Sequence, residues 1–466
     1  MIAWLAATLL SGLGFFLSLG LGTQWYLAWF APAPVLWYAF SRGRAGPSFV
    51  AAFASYTLGA TNFLPAYGSI MPMAVLAQLL CGPALVFALT VVMARYVHAR
   101  LGSVAGVLAF AAGFAGADFL VSFMPAGGAA TSPANSQVDM PVMAQAAALG
   151  GFAAVTFLIG LVAALIAEAA RRRSSTWLLA AVGVIAIVFG FGALRMSRLG
   201  ESTSRVALIG GNDLVGNTGD FEEAHTTQIL ATYAAGVRAL AGQHVTVVVL
   251  PENSGRLAPA WGERALAPLA AAAREIGATV VVGYNGEFSG ARRNLATTLG
   301  PHGDRATYAK RHLVVGLETR FFSPGNDPVI LANGVEPEIC KDMDFPATIR
   351  RDAAANRPRM FAVPAWDFGA DGWSHARPAI LRSIETGTPL ARSARDGLLT
   401  LNDRFGRLVA EKPVGAGPTT LVGDLPIHDR GGDTLYARIG DAFAWICVLT
   451  ALALAAASTL RRKRHA

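Results

Sequence analysis

The stretch Val335-Glu-Pro-Glu-Ile-Cys340-Lys-Asp-Met-Asp-Phe-Pro346 holds the only cysteine in the one long polar region of this chain. The other two cysteines, Cys81 and Cys447, lie in long apolar runs. Because Cys340 has no disulfide partner within its own region, it is either a buried inert thiol or a nucleophile. The residues that surround this stretch in the sequence decide between the two interpretations.

The composition predicts a membrane protein. Of the 466 residues, 53% are hydrophobic and only 15% are charged, and the mean hydropathy is +0.45. Soluble domains carry about 25% charged residues. The net charge of +8 does not indicate a nucleic-acid partner, because the basic residues form short clusters between apolar runs, as membrane topology requires.

Eight apolar runs approach the length of about 20 residues that crosses a bilayer. Seven precede residue 200, at 2–20, 24–40, 48–66, 70–93, 103–124, 142–169 and 176–194, and the eighth covers 441–460. The first run lacks a basic n-region, and another apolar run follows it almost at once, so it is interpreted as a membrane helix rather than a signal peptide. The expected domains are a seven-helix membrane domain (1–199), a polar domain (200–438) and a C-terminal membrane helix with a basic tail (439–466).

The loops between these runs predict the orientation of the chain. Basic residues occur in alternate loops and in the tail, at Arg42 and Arg44, Arg95 and Arg100, Arg171 to Arg173, and Arg461 to Arg464. The loops at 21–23, 67–69 and 125–141 contain no Lys or Arg. Under the positive-inside rule, both termini are cytoplasmic and the polar domain lies on the outer side of the membrane.

The polar domain has the pattern of an α/β fold. Apolar, β-rich runs at 206–209, 245–250, 279–283, 338–340 and 361–363 are typical of buried strands. Helical stretches near 221–241, 261–276 and 373–386 lie between them. Strands that alternate with helices predict layers of helix over sheet.

Three polar side chains stand at or near strand-like segments, where α/β folds expose groups to a crevice. Glu252 follows an apolar strand and a proline, and it is a candidate general base. Lys310 is a candidate to stabilise a thiolate or an oxyanion. Cys340 is the candidate nucleophile, with the backbone N–H of Lys341 as an oxyanion donor. Taken alone, Glu252 suits a solvated loop, Lys310 a surface position, and His312 a structural hydrogen-bonding role.

The ordered set resembles the Glu–Lys–Cys triad of the nitrilase, or carbon–nitrogen hydrolase, superfamily. Glu318 falls where that superfamily has a second essential glutamate. The other matching segments are 250–252, 308–314, 322–325, 339–340, 366–369 (which includes Trp366), 373–392 and 402–407. Eight membrane spans with such a domain inserted before the last one resemble the apolipoprotein N-acyltransferase family. The resemblance covers essentially the whole chain and implies an α-β-β-α sandwich.

The resemblance also implies a reaction at the outer face of a bacterial inner membrane. Glu252 takes the thiol proton, and Cys340 attacks a phospholipid ester while Lys310 and a backbone amide hold the oxyanion. The acyl chain then passes from the Cys340 thioester to the α-amine of a diacylglyceryl-cysteine lipoprotein. The reaction requires no metal or organic cofactor.

Two features depart from the family pattern. Tyr-Glu usually follows the cysteine in this family, whereas Lys341 and Asp342 follow it here, which is nearer to soluble amidases of the superfamily. The family's hydrophobic arm is also reduced, because only residues 319–321 separate Glu318 from the next motif. Two further interpretations therefore stay open: a membrane-anchored amidase or an acyltransferase for another amine, and a non-catalytic binding or scaffold protein.

Overall fold

The computed structural model describes residues 1–41, 44–197, 202–211, 223–331 and 333–463. The chain forms two compact units, one of Met1–Arg198 with Ile439–Ala466 and the other of Leu199–Arg438. The predicted domain boundary at 199/200, the start of the predicted helix at 221–241, and Arg42 and Arg464 of the basic clusters lie outside the described residues.

The first unit is helical. Before the polar region its helices are α1 (Ile2–Ser18), α2 (Ala33–Ser41), α3 (Ala45–Ala60), α4 (Leu64–Tyr67), α5 (Met73–Leu101), α6 (Ser103–Val121), α7 (Pro141–Ala144), α8 (Ala147–Arg172) and α9 (Ser175–Met196). The C-terminal helix, Ala442–Lys463, belongs to the same unit.

Within the described residues, five helices are long and apolar enough to cross a membrane: Met73–Leu101, Ser103–Val121, Ala147–Arg172, Ser175–Met196 and Ala442–Leu460. They coincide with five of the eight predicted spans. The other three predicted spans fall on the shorter helices α1, α2 and α3. The predicted span at 24–40 is interrupted by prolines. Pro32 and Pro34 separate the 3₁₀ turn Trp25–Trp29 from the body of α2.

Small residues let the helices of this unit pack closely. A Cβ added at Gly116 on α6 would lie 3.0 Å from Val448 of the C-terminal helix. A Cβ added at Gly160 on α8 would lie 3.3 Å from Ala111 on α6. Glycine and alanine at such contacts allow membrane helices to approach backbone to backbone.

The basic segments of this unit meet at one end of the helices. Glu168 near the end of α8 pairs with Arg172 at 2.6 Å, and Arg172 donates to Ser103 at the start of α6 at 2.7 Å. Arg100 at the end of α5 donates to the Ser458 carbonyl of the C-terminal helix at 3.3 Å. Three of the four predicted cytoplasmic segments are therefore neighbours.

Two segments without Lys or Arg also meet. Gln137, in the loop before α7, accepts a hydrogen bond from the Trp29 indole at 2.6 Å and donates to the Trp25 carbonyl at 3.0 Å. The loop at 125–141, which contains no Lys or Arg, therefore packs against the segment that follows α1.

The second unit contains two β-sheets. Its strands are β1 (Ser202–Gly210), β2 (Val247–Val249), β3 (Arg256–Leu257), β4 (Thr279–Phe288), β5 (Ala291–Leu299), β6 (Arg305–Ala309), β7 (Val335–Pro337), β8 (Met360–Trp366), β9 (Leu390–Arg395), β10 (Leu398–Asn402), β11 (Leu408–Pro413) and β12 (Thr419–Ile427). The first sheet has the order β12-β1-β2-β4-β5-β6, with β3 beside β4, and the second has the order β11-β10-β9-β8-β7. Strands β1, β2 and β4 are parallel, as are β7, β8 and β9.

Helices cover the outer face of each sheet. The helices of this unit are α10 (Glu223–Arg238), α11 (Gly262–Ile276), α12 (Pro346–Asn356), α13 (Gly372–Thr386) and the short α14 (Leu435–Ile439). Alternate side chains of each strand point to opposite faces. On β1, Ala207 and Ile209 pack with α10 and α11, whereas Val206 and Leu208 face the second sheet. On β8, Phe361 packs with α12 and α13. The unit is an α-β-β-α sandwich, and the predicted α/β class is confirmed.

One predicted strand, at 338–340, is wrong. Strand β7 ends at Pro337, and residues Cys340–Asp344 form a 3₁₀ turn. The cause is Asp342, whose side chain accepts a hydrogen bond from the Ile339 N–H at 3.2 Å while its own N–H donates to the Ile339 carbonyl at 2.9 Å. This local capping competes with continued strand pairing.

Candidate active site

The ends of neighbouring strands bring the candidate residues together. Glu252 lies just beyond β2, Lys310 directly follows β6, and Cys340 follows β7. The Glu252 N–H donates to the Ala365 carbonyl on β8 at 3.2 Å, which ties the two sheets together at this point. Gly283 on β4 makes room for the Glu252 segment, because a Cβ there would lie 2.7 Å from the Glu252 Cα.

Glu252, Lys310 and Glu318 form one buried ionic network. Lys310 Nζ lies 2.8 Å from Glu252 Oε1 and 2.9 Å from Glu318 Oε2. The side chains of Lys310 and Glu252 are only 1% and 4% exposed. Asn294 on β5 donates to Glu252 at 2.6 Å and to Glu318 at 2.7 Å. Two carboxylates therefore share one ammonium group and one amide.

Burial changes the proton affinities of this network. It raises the pKa of Glu252, and the Glu318 charge adds to that rise while Lys310 opposes it. Burial alone would lower the pKa of Lys310, but the Glu252 and Glu318 carboxylates hold it well above its usual range. Glu252 is thus equipped to accept a proton, whereas Lys310 stays an ammonium.

Cys340 stands at the start of its turn in an uncommon backbone conformation. Its φ is +42°, in the left-handed region that few non-glycine residues adopt. The thiol is partly buried and donates to the Trp366 carbonyl with an Sγ–O distance of 3.7 Å. Burial raises the pKa of the Cys340 thiol, and the Glu252 charge raises it further. The resting group is therefore a thiol that needs a base.

Asp342 anchors the nucleophile turn. It accepts hydrogen bonds from the Tyr308 hydroxyl at 2.7 Å, from the His312 N–H at 2.9 Å and from His312 Nδ1 at 2.9 Å. The His312 ring also stacks on Phe345, with ring centroids 3.8 Å apart. Asp342 thereby joins the lysine segment to the cysteine segment.

Lys341 and Trp366 also lie next to Cys340, Lys341 as its neighbour in the chain and Trp366 through its carbonyl oxygen. Lys341 Nζ is 3.6 Å from Asp344 Oδ2 and 5.6 Å from the centroid of the Phe345 ring. The Trp366 ring lies under the Arg395 guanidinium, whose carbon is 4.4 Å from the ring centroid. The role of the Lys341 backbone as an oxyanion donor stays a prediction.

Four further residues near the site have no role that the sequence predicts. Asn294 has no motif that would have indicated it. His375, Asp367 and Arg392 form a chain of contacts next to Trp366, whose carbonyl oxygen contacts the Cys340 thiol. One signal was available: Asp371 and His375 are spaced i, i+4 at the start of a helix and therefore share a face.

A second group of buried acidic residues lies at β7, the strand before Cys340, and is separate from the Glu252–Lys310–Glu318 network. One oxygen from each of Glu336, Glu338 and Asp352 falls within 4.8 Å of the others. The Arg311 guanidinium lies 2.6 Å from Glu338 and 2.6 Å from Asp352, so it supplies the positive charge there. Burial raises the pKa of Glu336 to about 8, even though Asn356 donates to it at 3.1 Å.

We expect Glu336→Gln to remove a pH dependence of stability. The folded protein holds a proton on Glu336 that the unfolded chain loses above about pH 4.3, so the wild type loses stability as pH rises to about 8. Gln keeps the shape and cannot ionise, and the variant should unfold at a higher temperature than the wild type at alkaline pH. Thermal unfolding between about pH 5 and pH 8.5 measures this. Parallel curves for the two proteins would contradict the assignment.

Comparisons with known proteins find similarity to two protein families. The family model of the apolipoprotein N-acyltransferase N-terminal domain matches residues 11–165, and the carbon-nitrogen hydrolase model matches residues 205–404. The apolipoprotein N-acyltransferase of Geobacter metallireducens is 26% identical, with 94% of this chain and 92% of that protein covered. That of Vibrio vulnificus is 25% identical, with 66% of this chain and 69% of that protein covered. Among solved structures, an amidase from Nesterenkonia sp. aligns at 22% identity and a TM-score of 0.43, with 53% of this chain and 97% of that chain covered.

Proposed function

The chain belongs to the apolipoprotein N-acyltransferase family, and we propose that it moves an acyl chain from a phospholipid through a Cys340 thioester to the α-amine of a lipoprotein's N-terminal diacylglyceryl-cysteine. One observation carries this proposal: the acyltransferase membrane domain and the carbon-nitrogen hydrolase domain occur in that order in one chain. An amidase for small amides needs no apolar helices to reach its substrate. The alternative of an amidase or of a different amine acceptor is therefore not favoured.

The first half of the reaction forms the thioester. Glu252 takes the Cys340 thiol proton, and the thiolate attacks the ester carbonyl carbon of a phospholipid such as phosphatidylethanolamine. Lys310 and the Lys341 backbone N–H receive the oxyanion. The C–O bond then breaks, and the lysophospholipid alkoxide leaves with the proton that Glu252 held.

The second half transfers the acyl group. The lipoprotein α-amine attacks the thioester carbon, Glu252 takes a proton from the amine, and the C–S bond breaks. The proton returns to the sulfur, so the enzyme is regenerated with no other reactant. The raised pKa of Glu252 suits this alternation between base and acid.

The second glutamate positions the ammonium group. Glu318 accepts from the Val314 N–H at 2.8 Å and lies 2.9 Å from Lys310 Nζ, so it is a second carboxylate that fixes the lysine. The shortened arm after Glu318 still presents an apolar side chain, because Phe321 is 65% exposed. An exposed aromatic residue beside the network suits substrates that carry acyl chains.

We place the protein in the bacterial inner membrane with about eight spans, and with α1, α2 and α3 completing the count. The catalytic domain (200–438) lies on the periplasmic side, and both termini are cytoplasmic. The meeting of three basic segments at one end of the helices supports this orientation, as does the meeting of two segments without Lys or Arg.

We expect the purified protein in detergent to convert a synthetic diacylated lipopeptide with a free N-terminal amine into the triacylated form when phosphatidylethanolamine is present. Mass spectrometry measures the product. A lipopeptide with an acetylated amine is the matched control and should not react, because the amide nitrogen is not nucleophilic. Hydrolysis of small amides without any transfer to the lipopeptide would overturn the proposal.

A further inference from the structure

Asn294 is the amide that joins the two carboxylates of the Glu252–Lys310–Glu318 network. Its Nδ2 donates to Glu252 Oε1 at 2.6 Å and to Glu318 Oε1 at 2.7 Å, so both of its N–H bonds are used. Ionised carboxylates accept hydrogen bonds and do not donate them. The nitrogen of the amide therefore faces the two carboxylates, and this fixes the orientation of the side chain.

The oxygen of the same amide has no donor. Asn294 is 2% exposed, and among the described residues no hydrogen-bond donor reaches its Oδ1. A buried carbonyl oxygen without a donor is uncommon in a folded protein, because it has lost its hydrogen bonds to water and has gained none in return. An N–H or O–H group of a ligand would supply the missing hydrogen bond.

This oxygen lies close to the general base. The oxygen and the nitrogen of an amide are about 2.2 Å apart, because both are bonded to one carbon. Since Nδ2 is 2.6 Å from Glu252 Oε1, Asn294 Oδ1 is within about 5 Å of that carboxylate oxygen. One small polar group can contact two acceptors at such a separation, because each hydrogen bond spans about 3 Å.

A buried amide oxygen without a donor is not by itself a site. Within the described ranges Asn402 on β10 has one too, but its Nδ2 donates to the Asp403 backbone carbonyl at 3.0 Å, in the second sheet. Asn294 differs because its nitrogen binds the general base. It also lies directly across from Asn285 on β4, whose Oδ1 is another buried oxygen without a donor among the described residues. This part of the site therefore offers acceptors, which suits a ligand with more than one N–H.

The nucleophile that attacks the thioester must give one hydrogen to Glu252. A primary amine carries two hydrogens beside the lone pair that attacks, so its second N–H still needs an acceptor. The hydroxyl group of the released lysophospholipid carries one hydrogen, which Glu252 takes when the alcohol attacks. Asn294 Oδ1 therefore gains a donor from a primary amine and none from an alcohol. Water also carries two hydrogens, which makes hydrolysis of the thioester the competing reaction.

We propose that Asn294 Oδ1 accepts the second N–H of the attacking amine and so makes the Cys340 thioester react with primary amines in preference to alcohols. This role rests on the proposed acyl transfer and names what its acceptor needs, two hydrogens on the attacking nitrogen. The lone pair of the amine forms the C–N bond, and one proton passes to Glu252. The other hydrogen stays on nitrogen and remains bonded to Asn294 in the product amide. The C–S bond breaks, and the sulfur receives the proton that Glu252 held.

A lipopeptide with one methyl group on its N-terminal amine tests this role, because that amine has a single N–H, which Glu252 takes. Acyl-enzyme is formed with phosphatidylethanolamine, separated from free lipid and mixed with the primary or the methylated lipopeptide. Mass spectrometry gives both transfer rates. In the wild type we expect the primary amine to react roughly 10- to 100-fold faster, since the methylated amine leaves Asn294 Oδ1 without a donor. Equal rates would overturn the proposal.

Asn294→Leu separates this effect from the bulk of the methyl group, because leucine has nearly the shape of asparagine and no oxygen. Both transfers should slow, since Glu252 and Glu318 lose a donor, but the ratio of the primary to the methylated rate should fall about 10-fold. Asn402→Leu is the matched control and should keep the wild-type ratio. Asn294→Ala replaces Asn294→Leu if that variant does not fold. A wild-type ratio in whichever of the two folds contradicts the assignment, and the wild-type comparison decides if neither folds.

Failure of this role and failure of the acyltransferase function can be told apart. Acyl-enzyme formed from a p-nitrophenyl ester can be mixed with methylamine or dimethylamine, which differ as the two lipopeptides do and need no lipoprotein. A wild-type preference for methylamine that Asn294→Leu loses, together with no lipopeptide product, would refute lipoprotein acylation and leave the role of Asn294 standing. Lipopeptide product at a rate that the methyl group does not change would do the reverse.

Discussion

Glu252→Gln is expected to make Cys340 more reactive towards iodoacetamide and, at the same time, to abolish acyl transfer. The Glu252 charge raises the pKa of the Cys340 thiol, so a neutral amide at this position lowers that pKa and increases the thiolate fraction at about pH 8.5. Gln cannot accept the thiol proton or return it to the leaving group. Loss of a general acid–base costs about 10²- to 10⁴-fold in rate.

The alkylation rate should rise while the acyl-transfer rate falls. This combination distinguishes a residue that carries a proton from a residue that only maintains the fold. The amide side chain of the Glu252→Gln variant can still accept a hydrogen bond from Lys310 or Asn294 through its carbonyl oxygen, so the packing of the site is retained. Glu252→Asp is the matched control: it keeps the charge and should leave alkylation near the wild-type rate. Thioester that accumulates normally in Glu252→Gln with phosphatidylethanolamine would refute the base assignment.

The layered fold could be predicted because its strands follow a local rule. Buried parallel strands read as continuous apolar runs, and β1, β2, β4 and β8 fall on such runs. Glu252, Lys310 and Cys340 were candidates because they stand at or near strand-like segments, where α/β folds expose groups to a crevice. The order of Glu252, Lys310 and Cys340 along the chain, which matches the superfamily triad, is visible in the sequence without any knowledge of tertiary contacts.

The parts that could not be predicted depend on contacts between distant segments. The Cys340 turn is held by Asp342, whose other partners come from the lysine segment. The Trp366 carbonyl reaches the thiol because β7 and β8 are parallel neighbours, which brings its oxygen to 3.7 Å from Cys340 Sγ. Asn294 sits mid-strand on β5, where an amide gives no pattern to detect.

Lys310→Met is expected to lower both activity and stability, each by a large amount. Removing the ammonium leaves the buried Glu252 carboxylate and the partly exposed Glu318 carboxylate without a cation, and breaking a buried pair such as Lys310–Glu252 costs about 3–5 kcal/mol. Loss of an oxyanion donor lowers the rate by about 10²- to 10³-fold. Thermal unfolding and the lipopeptide assay measure the two effects.

The stability loss in Lys310→Met should depend on pH with a defined sign. Without the ammonium, the pKa of Glu252 rises further, because the Lys310 charge no longer opposes burial and the Glu318 charge. The folded variant then binds a proton that the unfolded chain releases above about pH 4.3, so its stability should increase as pH falls from about 8 towards 5. Lys310→Arg keeps the charge and should show no such recovery.

A double variant distinguishes electrostatic repulsion from loss of packing. In Lys310→Met with Glu318→Gln, one of the two carboxylates becomes neutral, and Asn294 can still donate to the Gln carbonyl oxygen. Stability at neutral pH should recover in part, whereas transfer should stay as low as in Lys310→Met, because no ammonium faces the oxyanion. If the double variant were no more stable than the single one, the buried carboxylate pair would not be the cause of the instability. Lys310 would then act through its packing alone.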